Sequence, residues 1–216
     1  MPITTPIADT SRQEPHLDAV LRRRIARLGM WIFITSEMLF FGGLFAAYFH
    51  GRIQWPEGFA AAGRHTSVLL GTVNTAVLLT SSLLVALAVE AAAHGRRKLV
   101  PAMLAGTLAL GLVFLTIKGM EWHAEWREGL LPGPHFPLAQ PGAQVFFMLY
   151  FTATGLHALH MLAGIAAVSL FAWHAIRGQA DWMRSSRLET MALYWHFVDV
   201  VWIVLYPLLY LMGRHA

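Results

Sequence analysis

Cysteine does not occur in the 216 residues, and charge is scarce: Asp, Glu, Lys and Arg together make up only 13%. Without cysteine the chain can form no disulfide, thiolate zinc site, iron–sulfur cluster, covalent c-type haem or Cys-ligated copper site. A soluble domain of this size would carry about 25% charged residues. Residues 1–21 are polar and hold Pro2, Pro6 and Pro15; an apolar h-region with a cleavage site is missing, so no signal peptide is expected there. That tail is expected to be irregular, and residues 1–27 to form a cytoplasmic N-terminal arm. No internal repeat of the inverted-transporter kind is seen.

What is plentiful is apolar: 56% of the chain, in blocks long enough to cross a bilayer, which takes roughly 20 residues per helix. The pattern predicts one membrane domain over residues 28–216 with five spans, Leu28–Phe49, Val68–Ala93, Val100–Trp122, Ala143–His174 and Thr190–Met212. All five are expected to be helices, because an open strand edge in lipid would leave backbone groups unpaired. Between them, Gly51–Ser67 reads as a Gly/Ala-rich loop, and Glu121–Gly142 as an ordered lid with Pro132, Pro134, Pro137 and Pro141.

The net charge of +4 belongs to topology rather than to a nucleic-acid partner, since Lys and Arg mark cytoplasmic loops in membrane proteins. Arg12, Arg22, Arg23, Arg24, Arg27, Arg96, Arg97, Lys98, Arg177, Arg184 and Arg187 fall on one side. Arg52, Arg64, Arg127 and Arg214 fall on the other. This asymmetry of eleven to four predicts the N-terminus inside and the C-terminus outside.

Ionisable groups inside spans are the first place to seek function, because they are costly there. Glu37 lies about nine residues into the first span, roughly 14 Å deep at 1.5 Å per residue. Unpaired at that depth, it is expected to be carried as the neutral acid. It is either a proton-handling, reactive carboxyl or an acid hydrogen-bonded between helices. His196 and Asp199 in the last span are three apart and share a face, as do His157 and His160 in the fourth. With Glu37 these groups are expected to form one interhelical polar layer. Haem or metal ligation by the three histidines is disfavoured, since interhelical hydrogen bonds account for them more simply. Lys118 and Glu121 are spaced to pair near the outer surface.

The stretches 29–41 (GMWIFITSEMLFF), 74–79 (NTAVLL), 118–122 (KGMEW), 154–160 (TGLHALH) and 194–202 (YWHFVDVVW) resemble subunit III of the haem-copper cytochrome c and quinol oxidases, in its short five-helix bacterial form. They touch every span, and the last is the most specific. The resemblance implies an all-α membrane fold in which spans one and two form a two-helix arm against a three-helix bundle, around a V-shaped cleft filled by structural phospholipid. It implies no haem, copper or catalytic centre in this chain; those would sit in partner subunits, with subunit I in direct contact and subunit II and others in the complex. It implies an accessory role in a proton-pumping oxidase of the bacterial inner membrane, supporting proton uptake and the stability of subunit I. Glu37 takes the place of the family's carbodiimide-reactive glutamate, and Glu189 that of a glutamate opening the last helix. His174 stands where many members have Arg, with Arg177 one turn on. Basic Arg96, Arg97, Lys98, Arg177 and Arg184 at the inner rim are candidates for lipid phosphates, and His174 and Glu189 are lipid-binding candidates beside them. Two other readings are a related membrane protein of a nitric oxide reductase system and an independent proton or solute transporter. The donor, cytochrome c or quinol, is left open.

Overall fold

The computed structural model describes residues 14–134, 136–179 and 185–212. Arg12, Arg184, Arg214 and residues 1–13 of the arm lie outside them. The described chain is helical: α1 Glu14–Gln54, α2 Pro56–Gly63, α3 Val68–Ala93, α4 Val100–Arg127, α5 Ala143–Ile176 and α6 Ser185–Tyr206, followed by a π-helical turn at Pro207–Leu211. All but α2 are long and apolar enough to cross a membrane. Alternating passes put the start of α1 and the α3–α4 turn on one membrane face, called here the basic face. The segment containing α2 and the Pro-rich loop after α4 lie on the opposite, loop face.

The span α3 has its expected bounds, because both ends carry stop signals. The Ser67 hydroxyl accepts from Leu70 N–H at its start, and Gly95 takes a positive φ just past its end. At α1 the structure departs from the expected irregular arm: the helix already runs from Glu14. Pro15 is tolerated in a first turn, and the Ala-, Leu- and Arg-rich segment that follows contains no breaker. Its 41 residues reach about 60 Å, twice the roughly 30 Å hydrocarbon core, so α1 projects beyond the basic face. The expected loop 51–67 also contains a helix, α2, started by Pro56 at its first position. Its Gly58 has no room for a side chain: a Cβ would lie 2.0 Å from Pro141 O. This close approach seats α2 on the entry to α5.

The grouping of spans differs from the expected two-helix arm. Span two (α3) packs along α4 and α6, while span one (α1) packs on α5, α6 and α2. The physical reason lies in α6. Trp195 is enclosed where α3, α4 and α5 converge. Its Nε1 donates to Ser81 of α3 at 3.2 Å, and its ring fills notches left by Gly111 of α4 and Gly164 of α5. A pair of spans one and two would take Ser81 away from that ring.

The chain closes through its last turn. Pro207 has no N–H, so the helix ladder breaks there and the final carbonyls need donors. Tyr48 of α1 donates to Leu208 O, Arg52 to Met212 O at 2.5 Å, and Thr66 to Leu209 O at 3.4 Å.

Candidate functional site

On the inner flank of α1, Glu37 faces α5. Its Oε2 lies 3.3 Å from His160 Nε2. The other ring nitrogen, Nδ1, sits 2.8 Å from Leu156 O; a carbonyl only accepts, so Nδ1 carries a hydrogen. Nε2 is thereby left to face Glu37, an ion-pair contact when the imidazole is protonated. Tyr194 of α6 donates to His160 O at 3.0 Å, and the Phe41 ring stands edge-on to the imidazole at 5.6 Å. Three spans thus fix this pair.

His196 and Asp199 meet at Ser82 of α3, and His157 sits apart from them between aromatic rings. His196 Nδ1 pairs with Ser82 of α3 at 2.6 Å. His157 is enclosed between Phe114 and Trp202, ring centroids 5.4 and 5.1 Å away, and neither nitrogen has a hydrogen-bond partner. Asp199 is buried beside the Ser82 hydroxyl, which His196 also engages.

A cleft of about 470 Å³ opens between α1 and α3, floored by α6. It is not between a pair of spans and a bundle. Arg27 and Trp31 line one wall, Val89 the other, and Glu189 and His196 the floor. Arg27 and Glu189 face each other at 3.5 Å. Of the described lipid candidates, only Glu189 lines this cleft. His174 pairs with Gln179 at 2.7 Å, Arg177 stacks on the Trp173 ring at 4.1 Å, and Arg96, Arg97 and Lys98 lie exposed beyond α3.

The densest polar cluster is one that sequence reasoning touched only at its edge. Lys118 is buried with Nζ 2.9 Å from Glu121 Oε2 and 2.7 Å from each of the Tyr150 and Tyr210 hydroxyls. Tyr150 donates to Glu125 at 2.6 Å and Tyr210 to Glu121 at 2.8 Å. Lys118, Glu121 and Glu125 follow i, i+3, i+7 spacing, one face of a helix. That stripe was the available signal for Glu125, and nothing comparable pointed to Tyr150, Tyr210, Arg27 or Trp31. Among the described residues, no group of three or more His, Asp or Glu is placed to hold a metal ion.

Residues 7–214 match the family model described as Cytochrome c oxidase subunit III. The chain belongs to that family. Its Glu37–His160 pair therefore joins two of the subunit III motifs, and Trp195 roots a third between the other helices. Among curated proteins it is 33% identical over 195 residues to cytochrome c oxidase subunit 3 of Coturnix japonica, covering 87% of this chain and 69% of that one. It is 34% identical over 196 residues to that of Cyprinus carpio, with the same coverage. It is also 31% identical over 196 residues to the heme-copper oxidase subunit I+III of Aeropyrum pernix; this match covers 86% of the chain but spans only 22% of that longer protein. These relatives favour neither the nitric oxide reductase nor the transporter reading. The subunit III chain is a multi-pass membrane protein with an all-α fold.

Proposed function

We propose that this subunit III chain is the accessory, non-redox subunit of a proton-pumping haem-copper terminal oxidase in a bacterial inner membrane. It packs against subunit I and supports that subunit's proton uptake and stability. The observation that carries the contact with subunit I is the Aeropyrum pernix relative, a single protein named for subunits I and III together. Subunit II and other subunits complete the assembly, and haem and copper reside there. The least enclosed span, α1, offers a lateral face with Met38, Leu39 and Phe40 exposed, suited to an apolar neighbour.

Glu37 is the proton-handling carboxyl of this reading, with His160 as its partner. In the assembled oxidase, Glu37→Gln keeps the shape and a polar group facing Nε2, so its structural effect stays near the ~0.6 kcal/mol of an average interhelical bond. Oxygen reduction continues, while proton uptake slows at high pH or activity fades sooner over many turnovers. Immediate loss of oxygen reduction in a fully assembled Glu37→Gln complex would sink the accessory role.

The orientation is N-terminus inside and C-terminus outside. Reporter fusions at Gly95 and Gly178 are expected to report cytoplasm, and at Gly58 and Gly133 the exterior. An exterior signal at Gly95 reverses the topology.

The α1–α3 cleft is the seat of a structural phospholipid. Arg27 sits at its mouth for a phosphate, and Trp31 and Val89 form its apolar walls. Native mass spectrometry of the complex is expected to show retained phospholipid, reduced by Arg27→Ala. A complex that keeps no phospholipid argues against it.

A further inference from the structure

The proton inventory of the Lys118 cluster does not close on the hydrogen bonds present. An ammonium at Lys118 has three hydrogens, and three acceptors surround it: Glu121 Oε2, Tyr150 OH and Tyr210 OH. Each tyrosine has one hydrogen, directed to Glu125 Oε1 and Glu121 Oε2. All five of those hydrogens are placed. Glu121 Oε1 and Glu125 Oε2 remain buried without a partner, although both residues are only 4% exposed. With both carboxylates ionised, one cation would face two anions in an enclosed site near the loop face. An uncompensated buried charge is the costliest arrangement available. One further proton removes it.

Which carboxyl takes that proton follows from the donors. Glu121 Oε2 receives two hydrogen bonds, one from the ammonium, and is the natural anion. Glu125 receives one, from a neutral phenol, and lies a further turn from Lys118. The other titratable groups nearby are His157, enclosed close to Lys118 on α5, and Glu128 and His65, which face each other at 3.6 Å and are more exposed.

We propose that Lys118, Glu121, Glu125, Tyr150 and Tyr210 form a proton-holding site near the loop face, with the proton on Glu125 Oε2. The site is separate from the Glu37–His160 pair, being built on α4, α5 and the turn after α6. Proton uptake or release there needs no side chain to move, because every heavy-atom contact serves both states.

Infrared difference spectroscopy on the assembled complex tests this, by isotope-labelling glutamate so that aspartic-acid bands stay in place. A glutamic-acid C=O band that persists in Glu37→Gln is expected. It is lost in Glu125→Asp, which keeps the carboxyl and the charge balance around Lys118 but takes that group out of the labelled set, and kept in Glu121→Asp. A band lost in Glu121→Asp but kept in Glu125→Asp overturns the assignment. If Glu125→Asp does not assemble, the Glu37→Gln complex decides alone: no remaining glutamic-acid band means that no such proton is held.

Discussion

Lys118→Met lowers the stability of the purified chain by about 3–5 kcal/mol, the range for breaking a buried ion pair by removing one partner. Methionine is similar in length and apolar, so an empty cavity is not the cause. The loss comes from the groups left behind. Glu121 loses the ammonium that faces it at 2.9 Å, and each of the two tyrosine oxygens loses the ammonium hydrogen bond it accepts. Four aromatic rings also lose the cation they surround, Tyr150 the nearest with its centroid 4.4 Å from Nζ. Denaturant titration in micelles measures the effect. The double variant Lys118→Met with Glu121→Gln separates a charge effect from a packing effect: neutralising the stranded carboxylate restores part of the loss, a coupling between contacting residues. A Lys118→Met chain within 1 kcal/mol of the parent, using roughly the scale of a single ordinary hydrogen bond, would show that the lysine does not hold the cluster.

Trp195→Ala is expected to be equally severe, at about 3–5 kcal/mol for a large aromatic removed from a close-packed core. The ring occupies a space that no neighbour can refill. On two sides it meets glycines, Gly111 and Gly164, where a Cβ would already sit 3.1 and 3.2 Å from ring atoms. Those backbones carry no side chain to swing inward. Trp195→Phe keeps most of the ring and loses the bond to Ser81, so its loss is smaller, with about 0.6–1.7 kcal/mol of it from the interhelical hydrogen bond. The order parent, Phe, Ala in the same denaturant titration is the expected outcome. Equal losses for Phe and Ala would place the energy in the hydrogen bond instead of the packing.

How far the sequence reached depends on whether each feature is local. The span α3 was legible to its ends because Ser67 and Gly95 bracket it. The start of α1 was not, since proline at a first turn looks the same in a helix as in an irregular tail. Helix α2 was hidden by its glycines and alanines, although Pro56 marked its beginning. Glu37 stood out because a lone acid in an apolar run is conspicuous. Its partner His160 is as visible in the sequence, but nothing local distinguishes it from His157, three residues away on the same helix. Tyr150 and Tyr210 reach Lys118 across 32 and 92 residues, and phenols in a membrane span read equally well as interface anchors. The grouping of spans was misjudged for a similar reason: it depends on which helix receives Trp195, a question of three-dimensional fit.

The stitching of α1 to the last turn sets an order of events during synthesis. Tyr48 and Arg52 each grip a carbonyl 160 residues downstream. At 5–20 residues per second, α1 waits roughly 8–30 s for the turn that secures it. Its other long neighbours, α5 and α6, are also made late. Until α5 is made, Glu37 has no His160 to face. The nascent chain is therefore open to misassembly or proteolysis at α1, and a ribosome that stops before Pro207 leaves that span without its clasp.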